Sequence, residues 1–159
     1  LGLFLPYISL RFFEGVTVGM TLIDTDAAPW CPFPEWTVKE HRPRGAWEWN
    51  PKQIHLKPHP RTKLPLTGHT LVERFSEMMP LNANVLDYLW KNPHLIPKSW
   101  EGRVVYFWGT IYSGPGGLLH VRCLNKYESK WGWSNNNLDA RWDQRFTAPR
   151  FSHVAFTSP

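Results

Sequence analysis

Proline is the residue that most constrains what this chain can fold into. The 159 residues include 15 prolines, and a proline inside a helix removes a backbone hydrogen bond and clashes with the preceding turn. This number excludes a long-helix or coiled-coil protein. The dipeptides Ala28-Pro29, Cys31-Pro32 and Phe33-Pro34 also exclude a helix where they occur, because the residue before a proline avoids the helical conformation.

The chain is rich in large aromatic side chains. It contains 10 tryptophans, and hydrophobic residues make up 42% of the sequence. A chain of this composition buries enough apolar surface to fold, so disorder is not its main state. No apolar run reaches the roughly 18 residues that a membrane-spanning helix needs.

Two segments have the apolar spacing of amphipathic helices. Residues 67–79 place Leu71, Phe75 and Met78 on one face, with Thr67 or Thr70 as the N-cap and Pro80 as the end. Residues 82–92 form a second helix, capped by Asn82 or Asn84 and ended by Asn92-Pro93. Its apolar stripe consists of Val85, Leu86, Leu89 and Trp90.

The C-terminal half reads as a β-sheet. Residues 103–112 are β-branched and aromatic, which predicts a strand. The SGPGG turn joins them to LLHVRCL as a hairpin. Short Trp-containing segments follow, separated by Ser134-Asn135-Asn136-Asn137, which we interpret as an exposed turn. The predicted fold class is α+β, with two helices packed on a twisted antiparallel sheet that the C-terminal half mainly forms.

The domain organisation follows from these elements. Residues 1–19 read as an apolar leader or upstream extension, because no basic region precedes the apolar stretch as in a signal peptide. Met20 is then the natural start; the alternative is an apolar arm that packs on the domain or on a partner. Residues 20–159 form one domain, with an irregular Pro, Trp and basic part (20–64), a helical pair (65–100) and the sheet (101–150).

The charge and the cysteines give weaker indications. The formal net charge is +5, and the excess lies in the basic segment 39–63. Such a segment can contact phosphates, but it is more often a solvated face, so nucleic-acid binding is the less favoured interpretation. Cys31 and Cys123 are expected to be free thiols, which favours a cytoplasmic protein.

No catalytic or metal-binding motif of known spacing is present. Pro58 and Pro60 exclude a helix that would bring His55 and His59 together as metal ligands. Asp139 and Asp143 are weak candidates for a calcium site, since calcium prefers oxygen ligands; solvated turn residues are the simpler interpretation. Either aspartate could serve a small hydrolase of esters or lactones if the fold brings a histidine near.

The C-terminal stretch is the most informative part of the sequence. It mixes aromatic rings, which give large contact areas, with amides that adapt their hydrogen bonding, as binding surfaces do. The alternative is a tryptophan-packed core with polar turns, and we expect Trp108 and Trp131 inside. The candidate ligand-binding residues are Asn125, Tyr127, Ser134, Asn135, Asn136, Asn137 and Asp143.

Several long motifs carry a resemblance. The runs LNANVLDYLWKNPHLIPKSWEG (81–102), VYFWGTIY (105–112) and VRCLN (121–125), with Trp131, Trp133 and Leu138-Asp139, resemble a family of uncharacterised proteins of candidate-phylum (Parcubacteria-like) and metagenomic bacteria. The resemblance covers about residues 20–149. That family has no established activity, so the resemblance implies no mechanism. Segment 57–79 departs from the family pattern, so the resemblance does not imply a basic patch.

A weaker resemblance concerns the C-terminal stretch alone. Its polar and aromatic residues, set between Trp and Leu-Asp positions, are similar to those of the variable proteins of diversity-generating retroelements. Those proteins present a diversified ligand-binding face on a rigid scaffold. The resemblance implies such a face around the candidate residues named above.

These observations predict a ligand-binding or protein-binding module without a required cofactor. Its partner is a small molecule or a protein that contacts the aromatic and Asn-rich C-terminal face. The alternatives are the ester or lactone hydrolase, assisted by calcium, and nucleic-acid binding through segment 39–63.

Overall fold

A computed structural model describes residues 10–13, 16–19, 21–59, 66–140, 142 and 152–157. The two helices are α1 (Gly68–Phe75) and α2 (Ala83–Lys91). The strands are β1 (Leu10–Phe13), β2 (Val16–Gly19), β3 (Leu22–Asp24), β4 (Thr37–His41), β5 (Ala46–Glu48), β6 (Ile54–Pro58), β7 (Val104–Ser113), β8 (Leu119–Tyr127), β9 (Lys130–Asn137) and β10 (Ser152–Thr157). The predicted α+β class is confirmed.

The main sheet has six strands centred on β7. The order is β6-β10-β7-β8-β9, and β4 pairs with β7 as well. β7 is ten residues long, so one of its edges holds two partners: β10 beside its start and β4 beside its end. The β10–β7 pair is parallel and the other pairs are antiparallel. The sheet is therefore mostly antiparallel, as predicted, and contains one parallel pair among the described strands.

Two pairs of short strands lie outside the main sheet. β3 pairs with β5, and β1 pairs with β2, both antiparallel. Part of the predicted leader 1–19 is thus a two-stranded ribbon, and the rest of it lies outside the described residues. The two helices have eight and nine residues. Neither described helix has the length and apolar character that crossing a bilayer requires.

Both helices begin at side-chain caps that the sequence predicted. The hydroxyl of Thr67 accepts from the Thr70 backbone N–H, and the Asn82 side chain accepts from the Asn84 backbone N–H. Each cap satisfies a donor that has no partner within the helix. Leu71 and Phe75 of α1 are buried, as predicted from their spacing.

The helices cover opposite faces of the sheet. The α1 face buries a cluster that includes Leu71, Phe75, Tyr106, Trp108, Val121 and Cys123. The α2 face buries a cluster that includes Val85, Leu86, Leu89, Val105, Phe107 and Leu124. Consecutive residues of β7 and β8 alternate between the two clusters because successive side chains of a strand point to opposite faces. Trp108 is buried as expected, whereas Trp131 is half-buried.

The turn predicted at Ser134-Asn135-Asn136-Asn137 is wrong. These residues belong to β9, and Asn135, Asn136 and Asn137 pair with Arg122, Val121 and His120 of β8. The hairpin turn lies earlier, at Glu128, which has a φ of 53°. Asparagine is rare in strands, but the long β8–β9 ladder and partners for the side chains outweigh that preference. The Asn136 amide, for example, donates to the Tyr106 hydroxyl at 2.7 Å.

Gly109 of β7 lets the chain before α2 lie directly against the sheet. Its N–H donates to the Leu81 carbonyl at 2.9 Å, and its own carbonyl accepts from the Arg42 N–H at 2.9 Å. A Cβ atom at Gly109 would lie 2.7 Å from the Pro80 carbonyl oxygen and 2.9 Å from the Asn82 Cα. Backbone atoms cannot move aside as a flexible side chain does, so only glycine fits here.

His59 is a buried histidine within the α1-side cluster. Its ring stacks on Phe75 and Tyr106, and its Nε2 accepts from the Trp108 indole N–H at 3.3 Å. Burial, with a smaller contribution from nearby His153, lowers the pKa of His59 to about 3. The ring is therefore neutral at physiological pH and acts as an acceptor in the core.

Gly109→Ala is expected to destabilise the fold, since its methyl group has no space against the 80–82 backbone. The free energy of unfolding in urea should fall by about 1–3 kcal/mol, as for other overpacked cores. Gly132→Ala is the control, because a Cβ there meets nothing within 4 Å. Equal stability of the two variants would contradict the close approach.

His59→Gln is expected to make the free energy of unfolding depend less on pH at acid pH. Below pH 6.5 the unfolded chain protonates this histidine, whereas the folded protein resists until about pH 3. As the pH falls from 6.5 towards 3, the free energy of unfolding of the wild type should therefore decrease more steeply than that of the variant. The difference in slope should reach about 1.4 kcal/mol per pH unit.

The glutamine carbonyl retains an acceptor for Trp108, so the comparison isolates the titration. Urea unfolding at several pH values from 5 to 7 makes the measurement. His94→Gln is the control, since His94 is exposed. Parallel profiles for His59→Gln and the wild type would show that His59 titrates as it does in the unfolded chain.

Candidate ligand-binding site

Six aromatic rings lie together on the α2 side of the sheet, and we call them the aromatic platform. Trp30 meets Trp133 edge-on with ring centroids 5.7 Å apart, and Trp36 stacks on His120 at 4.4 Å. Trp30 is 48% exposed, although it contacts other rings. Phe33 is 40% exposed, whereas Trp36 is buried. Exposed apolar surface such as that of Trp30 and Phe33 can mark an interaction site. The members are Trp30, Phe33, Trp36, Trp90, His120 and Trp133.

The segment that carries the first three rings has neither helix nor strand, as its prolines predicted. It is fixed to the sheet through the Trp30 carbonyl, which accepts from the Tyr112 hydroxyl of β7 at 3.1 Å. Burial raises the pKa of Tyr112 to about 12, so the hydroxyl stays protonated and remains a donor. The Trp30 backbone is thereby held while its ring reaches the surface.

A buried ion pair lies beneath the platform. Arg122 of β8 is fully buried, and its two terminal nitrogens bind the two Asp87 carboxylate oxygens of α2 at 2.7 and 3.2 Å. Two parallel hydrogen bonds fix the orientation of both groups. The pair therefore fastens α2 to the centre of the sheet.

The same guanidinium supports two rings of the platform. The Arg122 Cζ atom lies 5.1 Å from the Trp30 ring centroid and 4.5 Å from that of Trp133. A guanidinium over an aromatic face is attracted by the ring quadrupole, and more strongly when it is desolvated. The positions of Trp30 and Trp133 thus depend on a charge that solvent does not reach.

A cleft of about 230 Å³ opens beside Trp30. One wall is a single face of α2, with residues at i, i+3, i+4 and i+7, and the other is the loop 24–30. Asn84 joins the walls, because its amide donates to the carbonyls of Asp24 and Ala27 at 3.0 and 2.8 Å. The cleft is lined by Asp24, Ala27, Ala28, Trp30, Asn84, Asp87, Tyr88 and Lys91.

Two further contacts keep the cleft and the platform edge in shape. Oδ1 of Asp24 accepts from the backbone N–H groups of Asp26 and Ala27, which holds the loop in a compact turn. At the other end, His120 Nδ1 and Asn135 Oδ1 lie 3.1 Å apart. Burial lowers the pKa of His120, so its ring is neutral, and Nδ1 carries the proton donated to Asn135.

The strands divide the predicted ligand-binding residues between the two faces of the sheet. Asn135 and Asn137 lie on the platform side with Trp133. Asn125, Tyr127, Ser134 and Asn136 lie on the opposite side; Ser134 Oγ is 3.0 Å from the Cys123 sulfur, and Tyr127 is 76% exposed. These residues therefore do not form one continuous face, because successive residues of β8 and β9 point in opposite directions. Asp143 lies outside the described residues.

The candidate calcium residue Asp139 has a histidine as its neighbour. Its Oδ1 lies 2.7 Å from Nε2 of His69, and both side chains are about half exposed. The described residues contain no group of three or more His, Cys, Asp or Glu side chains placed to hold a metal ion. In the part of the chain that the structure describes, Asp139 is therefore the partner of a surface hydrogen bond with His69.

The cysteine thiols are free, as predicted. Burial raises the pKa of Cys123, so this thiol is protonated and a poor nucleophile. The basic segment 39–63 is also partly engaged within the fold. Arg42 donates to the Ser76 carbonyl, and Arg44 donates to the Met79 carbonyl and to Thr157. These two side chains do not point freely to solvent as phosphate ligands would.

Sequence reasoning missed the residues that build this site. Arg122 interrupts the apolar run 121–124 of β8, and Asp87 interrupts the apolar stripe of α2. The available signal was one positive and one negative residue, each within an apolar run of a buried element. Such residues indicate an ion pair, because buried charges are paired. The cleft residues Asp24, Tyr88 and Lys91 gave no comparable signal.

Comparison with known proteins gives no relative from which a function could be transferred. No protein-family model matches the chain, and neither a curated protein nor a solved structure is similar to it. The functional argument therefore depends on the geometry of the site.

Arg122→Met is expected to cost about 3–5 kcal/mol of unfolding free energy, because it leaves the Asp87 carboxylate without its partner beneath the platform. The double variant Arg122→Met/Asp87→Leu should recover much of this loss, since apolar residues replace both charges. Urea unfolding of the single and double variants measures the difference.

Lys126→Met is the matched control on the same strand. Lys126 binds Glu101 at 2.7 Å in an exposed pair, and exposed pairs contribute little to stability. If Arg122→Met lowers the free energy of unfolding as little as Lys126→Met does, Arg122 and Asp87 are not a buried pair whose members depend on each other.

Proposed function

We propose that this protein is a small-molecule binding module whose site is the cleft beside Trp30 together with the aromatic platform. The observation that carries the proposal is the buried Arg122–Asp87 pair beneath the exposed ring of Trp30 and the half-buried ring of Trp133. Burying two charges is costly, and an apolar pair of similar size often serves stability equally well. Here the charges hold Trp30 and Trp133 in fixed positions at the surface, as a preorganised binding site requires.

The composition of the cleft supports the same proposal. Ligand sites combine apolar and aromatic walls with a few polar groups in fixed positions. Trp30 and Tyr88 supply the rings, and Asp24 and Lys91 supply the polar groups. Asn135, a residue of the predicted binding face, extends the polar rim at the far edge of the platform through its contact with His120.

Hydrolysis of esters or lactones is less well supported. The His69–Asp139 pair is the histidine and carboxylate arrangement that such an enzyme uses, but it lies at the exposed surface. Among the described residues, no serine, threonine or cysteine is hydrogen-bonded to His69. The pair therefore lacks an activated nucleophile in the described part of the chain, and ligand binding is the better supported function.

Trp30→Ala is expected to abolish ligand binding while the protein stays folded. The probe is a mixed panel of small saccharides, α-amino acids, quaternary ammonium compounds and nucleosides. Binding is measured from the indole N–H signals in NMR spectra of the ¹⁵N-labelled protein. Compounds that bind should shift the Trp30 and Trp133 signals. Trp30→Ala should lower the affinity for these compounds at least tenfold, because it removes the exposed ring.

Tyr127→Ala is the matched control, since Tyr127 is an exposed aromatic residue on the opposite face of the sheet. It should leave binding unchanged. Binding that survives Trp30→Ala but is lost in Tyr127→Ala would place the site on the other face. A panel without any binding compound would refute the proposed function.

A further inference from the structure

We infer that the cleft beside Trp30 binds a pyranose unit of a neutral saccharide. The inference rests on the proposed function, which it deepens by naming the chemical class of the ligand. Three properties of the cleft support it: its volume, its balance of charge and the chemistry of its walls.

The cleft is open to solvent, and its volume suits a small ligand or one unit of a larger ligand. Pockets for drug-sized ligands measure roughly 300–1,000 Å³, and the cleft measures about 230 Å³. It therefore has space for about one six-membered ring with its substituents. A longer oligosaccharide would place one unit in the cleft and extend the next over the platform rings, which are continuous with Trp30.

The charged side chains that line the cleft are balanced once the Arg122 partner of Asp87 is included. The Asp87 carboxylate is already bound to Arg122, which leaves one carboxylate, Asp24, and one ammonium group, Lys91. A neutral ligand can hydrogen-bond to both groups, whereas a ligand with a single charge pairs with only one of them and leaves the other without a partner. The balance therefore favours a neutral ligand over a phosphate or an organic cation.

An α-amino acid is neutral overall but fits this arrangement less well. Lys91 is seven residues from Asn84, the residue that binds the Asp24 backbone, so the two ends of the cleft are about 10 Å apart along α2. In an α-amino acid only one carbon separates the ammonium from the carboxylate. The two charged groups of one such molecule therefore match this separation less well than hydroxyl groups on opposite sides of a pyranose ring do.

A pyranose matches the walls of the cleft. Its C–H groups form an apolar face that packs on aromatic surface, and Trp30 is 48% exposed although it contacts Trp90, Trp133 and Arg122. Its hydroxyl groups both donate and accept. They can donate to the Asp24 carboxylate, accept from the Lys91 ammonium group and do both with the Tyr88 hydroxyl.

The test uses the full chain and two sets of probes. The first set contains methyl glycosides of glucose, galactose, mannose and xylose, with the corresponding disaccharides. The second contains tetramethylammonium, glycine betaine, glycine, alanine and inorganic phosphate. Binding is measured by titration, from the shifts of the indole N–H signals. Each titration is made at about 20 and about 300 mM salt, because the electrostatic screening length shortens severalfold over this range.

At least one neutral glycoside is expected to bind with an affinity that does not depend on salt. Trp30→Ala should weaken it at least tenfold, and Asp24→Asn should weaken it severalfold, because the amide retains the Oδ1 acceptor of the loop but loses the charge. Tyr127→Ala should have no effect. A disaccharide that binds more tightly than its methyl glycoside would indicate that the second unit lies on the platform.

The outcomes separate the inference from the proposed function. If a member of the second set binds in a Trp30-dependent way and no glycoside does, the saccharide inference is overturned and the proposed function stands. If neither set perturbs the Trp30 signal, the saccharide inference is overturned, and the proposed function is overturned as well if no nucleoside perturbs that signal. Glycoside binding that persists in Trp30→Ala would overturn the assignment of the sugar to this cleft.

Discussion

The Arg122–Asp87 pair is the interaction on which the candidate site depends. Arg122 lies in the middle strand of the β7–β8–β9 ladder, and Asp87 lies on α2, so their two hydrogen bonds fix the helix over the sheet. One face of α2 then forms a wall of the cleft, and the guanidinium supports the rings of Trp30 and Trp133. The position of α2, the shape of the cleft and the placement of the two rings therefore all depend on this buried pair.

The aromatic residues serve two different purposes on the two faces of the sheet. On the α1 side, rings enclose His59 and exclude water, which stabilises the fold and keeps the histidine neutral. On the α2 side, a proline-rich segment without helix or strand brings Trp30 and Phe33 to the surface. The high tryptophan content thus reflects both a core and a surface, whereas the sequence alone left these as alternatives.

Local signals in the sequence predicted much of the fold. Thr67 and Asn82 marked the helix starts, and the β-branched run 103–112 marked the central strand, because caps and periodicity depend on near neighbours. The parallel β10–β7 pair and the contact of Arg122 with Asp87 join residues far apart in the sequence, and no local pattern encodes them. The asparagines of β9 misled for a related reason: their turn preference is local, and the ladder that overrides it is not.

The place of β10 in the sheet has a consequence for how the protein acquires its structure. β10 lies between β6 and β7 and is the link through which β6 joins the main sheet. During synthesis, β6 leaves the ribosome long before residues 152–157 exist, so the start of β7 keeps an open edge until they arrive. Pairings between such distant segments form slowly, and open edges favour association between chains. The interval before β10 inserts is therefore the stage at which a nascent chain is most exposed to aggregation.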